Sequence, residues 1–230
     1  MKADPNRPKY LSEHDKHRLP RTERGPEPGF VRVMGIDPGI AFCGVSVIEV
    51  EIAKPNPRCL ALELMRTSKQ RMTHNPGETD DDRRIEIMRQ SLKAYLERWQ
   101  PTVVAMELYR PFGAPNSSGW KTALVYGLIS GMVRSHGAWL LSFTPQAMKK
   151  LVTGKHVGKK EAVIASVGDI VTGCKTLLDY FPAGQREHLA DATGHALLGM
   201  DSALTRRLYD FVPNAPEHDA SGDVHEAQPC

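Results

Sequence analysis

Four side chains able to do acid–base or metal chemistry stand where apolar runs end or where a helix face repeats. Asp37 closes the run Val31-Arg-Val-Met-Gly-Ile-Asp37, and Pro38-Gly39 turn the chain directly after it. Glu107 closes Val103-Val-Ala-Met-Glu107. His188 and Asp191 lie three apart in a helical segment, so they share one face. If 31–37 and 103–107 are parallel neighbours in one sheet, Asp37 and Glu107 stand side by side. A helix face laid on that sheet adds His188 and Asp191. Converging carboxylates repel, and desolvation raises their proton affinity. A cation relieves both costs, and hard oxygen ligands with few nitrogens favour Mg²⁺ or Mn²⁺. Each residue also has a plainer reading. Asp37 can simply start a hairpin turn, Asp191 can be a solvated surface acid, and His188 can be a surface or satisfied core histidine. The adjacent acids Asp80, Asp81 and Asp82 are read as capping and solvating a helix, because sequence neighbours rarely converge on one ion.

The elements that must position these groups follow from periodicity. Strands are expected at 31–37, 44–50, 60–66, 103–107 and 138–143, where β-branched and apolar residues run or alternate. Gly35, inside the first of them, admits close approach of another backbone. Between Arg83 and Trp99, Ile85, Ile87, Met88, Leu92, Tyr95, Leu96 and Trp99 recur at helical spacing, and Pro101 stops the helix. A long helix is expected over 119–136. A short one over 146–152 is capped by Thr144 and Pro145. Another opens within 155–160 and runs to Val171, 173–185 is a loop, and a last helix covers 186–207.

With 230 residues, 40% hydrophobic and 25% charged, the chain suits one soluble globular domain with room for tails. Residues 1–29 carry Pro and charge with almost no aliphatic side chains. They are expected to be a disordered arm, and 213–230 a disordered acidic tail, flanking a domain over 30–212. No apolar run reaches the length of a membrane span, and the N-terminus lacks the apolar core of a secretory signal. Cys43, Cys59, Cys174 and Cys230 form no Cys-x-x-Cys pair, so free thiols in a reducing cytoplasmic compartment are expected. The net charge of +3 says little by itself. It is concentrated, however, in Lys149, Lys150, Lys155, Lys159 and Lys160, read as one basic helical face able to hold backbone phosphates.

The run Gly35-Ile-Asp-Pro-Gly39 followed by Gly44 resembles the first strand of RuvC-like Holliday-junction resolvases, within the RNase H-like superfamily. The resemblance continues through Val104-Ala-Met-Glu107, Lys149, Val152-Thr-Gly154, Lys160 with Val163, and His188-Leu-Ala-Asp-Ala192. It spans most of 31–205 in the family's order. It implies an α/β, RNase H-like fold: a central mixed five-stranded sheet flanked by helices. It implies a structure-selective endonuclease acting on branched DNA and four-way junctions, with a pair of divalent ions held by Asp37, Glu107 and Asp191. His188 stands where many members have another Asp, which is a departure; it keeps a metal-binding or substrate-orienting role. Lys149 and Lys160 match positions that face DNA. Tyr109 and Phe112 lie in the loop where the family has a junction-wedging aromatic, and Asn116 matches a loop asparagine.

Two other classes share part of this pattern. A sugar-kinase or actin-like ATPase opens with a similar Asp-x-Gly turn, but it needs a second phosphate loop and usually a duplicated domain. A non-catalytic branched-DNA-binding module has no use for three placed acids. Because a junction has two strands to cut and each chain carries one acid cluster, a homodimer is expected. Its interface is placed on helix 119–136, with Gly127 and Gly131 for close approach and Leu124, Val125 and Leu128 for burial.

Overall fold

In the computed structural model, residues 26–54, 56–70, 77–109, 119–157 and 159–210 are described. Five strands form one sheet: β1 (Phe30–Asp37), β2 (Phe42–Glu51), β3 (Arg58–Arg66), β4 (Val103–Glu107) and β5 (Trp139–Phe143). Their order is β3-β2-β1-β4-β5. β1 pairs antiparallel with β2, and β2 with β3, while β4 runs parallel to β1 and β5 parallel to β4. This is the mixed five-stranded α/β arrangement expected.

The helices are α1 (Asp80–Trp99), α2 (Gly119–His136), α3 (Pro145–Thr153), α4 (Lys160–Ile170), α5 (Cys174–Asp179), α6 (Ala183–Asp201) and α7 (Ala203–Asp210). Strand alternation sorts the core into two faces. Met34, Ile36, Val45, Val47, Val104 and Met106 pack with Met88, Leu92, Leu96, Val125 and Ile129 of α1 and α2. Val31, Val33, Ile48 and Val103 pack with Met148, Val163, Leu178, Leu189 and Leu197 of α3 to α6. Continuing the alternation, Asp37 and Glu107 project from the α6 face, each as its strand ends.

What lets α6 lie flat on the strands is glycine. A Cβ on Gly35 would stand 1.8 Å from the Ala192 carbonyl oxygen, and one on Gly44 would stand 2.1 Å from that of His188. Backbone therefore meets backbone at two places on α6. Thr193, fully buried, donates from Oγ1 to Ser46 Oγ at 2.9 Å and fixes the helix on β2 beside the Gly35 contact.

Several boundaries differ from the sequence reading. Thr79, not an aspartate, caps α1: its side chain accepts from Asp82 N–H while the Asp82 carboxylate accepts from Thr79 N–H at 3.0 Å. The segment 173–185 is not a loop throughout, because Cys174 and Leu178, one turn apart, bury the face of α5 and α6 starts at Ala183. The last helix is two helices. Ser202 is extended, and its Oγ accepts from Thr205 N–H at 3.2 Å, which starts α7. Nor do the lysines share one helix. α3 ends at left-handed Gly154, and α4 begins only at Lys160.

Arg32 is buried completely within β1. It donates to Trp99 O at 2.7 Å, closing the end of α1, and to Glu49 Oε1 at 2.9 Å, while Arg58 holds Glu49 Oε2 at 2.9 Å. A buried charge is tolerable only when paired and hydrogen-bonded in this way. Cys43, Cys59 and Cys174 are buried free thiols. Among the described residues, no helix is long and apolar enough to cross a membrane.

Candidate active site

The site sits where β1 and β4 end. The parallel register pairs Ile36 with Met106, so one step further sets Asp37 beside Glu107. α6 brings His188 and Asp191 over that edge. His188 Nδ1 donates to Asp37 Oδ2 at 2.7 Å. That bond to Asp37 is the main reason the imidazole pKa is raised, against the opposing effect of burial.

The carboxylates feel one another. Burial, with the charges of Asp37 and Asp191, pushes Glu107 up to about 7. Burial, with the charge of Asp37, pushes Asp191 up to about 6. Lys149, half-buried on α3, opposes the rise at both. So the four residues singled out by position do meet electrostatically, and Lys149 meets Glu107 and Asp191.

The donor set suits a hard divalent cation: one imidazole and three carboxylates, two of which have their ionisation suppressed by burial and by neighbouring negative charge. Among the described residues, no three His, Cys, Asp or Glu side chains already stand close enough to cage an ion. Mg²⁺ does not require a cage, since it keeps several waters and binds one or two carboxylates together with substrate phosphates.

The other expected contacts divide. Lys150, Lys155 and Lys159 are exposed. Lys160 is ion-paired with Glu187, whose other oxygen lies 3.8 Å from His188 Nε2. Glu187, next to His188 in sequence, is not legible as a site residue, because a helix-surface acid carries no signal of its own. A cavity of about 630 Å³ opens beside Glu107, lined by Pro38, Tyr109, Thr122, Thr144 and Gln146 among others. Tyr109 borders it with its ring 6.2 Å from that of Tyr126. Phe112 and Asn116 lie outside the described residues, as do Cys230 and the arm and tail apart from 26–29. On α2, Val125 is buried in the protein's own core rather than offered to a partner, whereas Gly127 and Gly131 face open space and Leu124 is exposed.

One further histidine was missed. His195, one turn beyond Asp191, is fully buried, and neither ring nitrogen has a hydrogen-bond partner. Burial lowers its pKa to about 4, despite the opposing charge of Asp37. The imidazole is therefore neutral in the fold, while the unfolded chain protonates below about 6.5. Stability from this group is intact above that pH and is lost as pH falls toward 4. Between pH 7.5 and 5 the loss amounts to about 2 kcal/mol. Urea unfolding of wild type and His195→Leu at both pH values checks this: the variant should lose less on acidification, and parallel losses exclude His195 as the cause.

A mixed sheet in this order, with carboxylates at the ends of adjacent central strands and a helix crossing them, defines an RNase H-like fold. A family model described as crossover junction endodeoxyribonuclease RuvC matches residues 33–197. The chain is 30% identical over 142 residues to crossover junction endodeoxyribonuclease RuvC of Paenarthrobacter aurescens (strain TC1), covering 61% of this chain and 69% of that one. Among solved structures, Thermus thermophilus RuvC superposes with a TM-score of 0.56 at 27% identity, covering 73% of this chain and 92% of that one. T. thermophilus RuvC in complex with Holliday junction substrate gives 0.55 at 27% identity, over 73% and 91%. The chain belongs to the RuvC family of crossover junction endodeoxyribonucleases.

Proposed function

We propose that the protein resolves four-way DNA junctions by metal-dependent hydrolysis of one phosphodiester per chain at the Asp37–Glu107–Asp191–His188 cluster. The observation that carries this is the desolvated, mutually repelling acid pair Glu107 and Asp191 beside an Asp37 already held by His188. The similar T. thermophilus RuvC is known in complex with a Holliday junction. Asp37, Glu107 and Asp191, with His188, would hold Mg²⁺ or Mn²⁺; a pair of such ions supplies Lewis-acid stabilisation of the attacking and leaving oxygens. The chain's own groups do the rest. His188 orients the Asp37 carboxylate through its N–H. Lys149 offsets the repulsion within the cluster and draws the anionic backbone toward it. Tyr109 borders the cavity next to Glu107, where a base beside the cleaved bond has room to enter. Two copies, meeting through the open Gly127–Gly131 face of α2 and Leu124, present two clusters to one junction.

Lys150, Lys155 and Lys159 hold flanking phosphates, each releasing about one counterion. Lys160, already paired with Glu187, contributes less. The test is junction affinity by fluorescence anisotropy without divalent ions, over a range of salt, alongside cleavage with Mg²⁺ of a labelled junction and of its duplex arms. Lys150→Ala should reduce the log–log salt slope by about one, and Lys160→Ala by less. Wild type should give paired nicks in opposite strands of the junction and leave the duplex intact. Equal cleavage of duplex, or an unchanged slope for Lys150→Ala, contradicts the corresponding part of the proposal.

A further inference from the structure

An imidazole on a helix surface can turn about two side-chain bonds, and His188 keeps about a quarter of its side chain exposed. Something must hold it toward Asp37. Part of the answer is the backbone: Gly44 brings the helix at His188 directly onto β2. The other part lies two residues earlier on the same strand face. The Phe42 ring stacks on the His188 ring, with centroids 5.6 Å apart and planes 17° from parallel. Phe42 is itself held. It pairs across the strands with Arg66, whose guanidinium carbon lies 5.6 Å from the centre of the same ring.

We propose that Phe42 is a positioning residue for the nuclease: its ring, braced by Arg66, confines the His188 imidazole to the plane in which Nδ1 meets Asp37. This rests on the cluster being the cleavage site, and it assigns a task to a residue outside the acid cluster. Stacking between rings is worth between about twofold and tenfold in the population of one orientation. Losing it spreads the imidazole over several. A cluster that must first gather its imidazole binds its divalent ion more weakly, while the DNA-contacting lysines are untouched.

The experiment uses the full chain with Phe42→Leu and Phe42→Tyr. Phe42→Leu removes the ring, and Phe42→Tyr keeps it. In ¹³C-histidine-labelled protein without metal or DNA, the His188 ring protons carry the upfield shift of a stacked ring. This signal should relax toward its free value in Phe42→Leu and persist in Phe42→Tyr. The Mg²⁺ concentration giving half-maximal junction cleavage should rise about fivefold in Phe42→Leu, with junction affinity in EDTA unchanged and Phe42→Tyr close to wild type. Unchanged ring signals and Mg²⁺ dependence in Phe42→Leu overturn the proposal. So does a Phe42→Tyr variant as impaired as Phe42→Leu, and so does a loss confined to junction affinity, which would make Phe42 a DNA contact. If wild type itself fails to cleave junctions with Mg²⁺, the functional reading fails, and the ring signals still decide whether Phe42 orients His188.

Discussion

Asp37→Asn, Glu107→Gln and Asp191→Asn should each lower the single-turnover rate of junction cleavage by about 10³-fold or more, while leaving junction affinity within about threefold of wild type. Each substitution removes one negative charge from the cluster at nearly constant shape. In the proposed function, binding rests mainly on lysines elsewhere, so it should survive. His188→Ala should be milder, because the carboxylates it helps to orient remain in place. For Glu107→Gln and Asp191→Asn, a measured gain in stability would exclude misfolding as the cause of the lost rate. Glu107 and Asp191 are raised to about 7 and about 6, so the fold favours their protonated forms. Stability from such groups is present below their ordinary pKa values and is gone once the pH passes the raised ones. At pH 8 without divalent ions, Glu107→Gln should therefore be more stable than wild type, by about 1 kcal/mol after allowance for solvent screening. Near-normal cleavage by any of the three amide variants at saturating Mg²⁺ removes that residue from the site.

The second large effect concerns the fold that builds the cluster. Gly35→Ala should destabilise the protein by about 3 kcal/mol or more, lowering Tm by about 10 °C. The new methyl would overlap the Ala192 carbonyl oxygen at 1.8 Å and the Ala196 nitrogen at 2.6 Å, both backbone atoms of α6 that no side-chain movement can clear. The helix must lift from β1, carrying Asp191 and His188 away from Asp37, so cleavage should fall with stability. Gly184→Ala is the control. Nothing lies within 4 Å of its Cβ, and alanine is the better helix former, so Tm should hold or rise. Thermal unfolding followed by circular dichroism compares the two. Equal Tm values for Gly35→Ala and wild type would mean that α6 does not rest on the strand as described.

The cluster was legible because its signals are local. Strand-end acids after apolar runs, Asp37 and Glu107, need only alternation and parallel pairing to be placed together. His188 and Asp191 need only a helical repeat. The glycines were legible in part. Gly35 announces a close approach, but nothing in the sequence names Ala192 as what approaches it. What failed is what depends on distant partners or on short segments. α5 has too few residues to show a period, and the break at Ser202 rests on one hydroxyl cap. The lysine run from 149 to 160 has the composition of one basic face, yet left-handed Gly154 divides it between two helices. Arg32 breaks no pattern in a strand, and its burial is intelligible only beside Glu49 and Trp99. The stacking of Phe42 on His188 and the burial of His195 have no sequence signature.

Whether the acid cluster works through a bound divalent ion is tested most directly by one measurement: single-turnover cleavage of a synthetic four-way junction in EDTA and across a Mg²⁺ titration. There should be no cleavage in EDTA, with binding retained, and a rate that saturates with Mg²⁺ for wild type but stays at background for Asp37→Asn. Junction cleavage at full rate in EDTA would contradict a role for a bound ion.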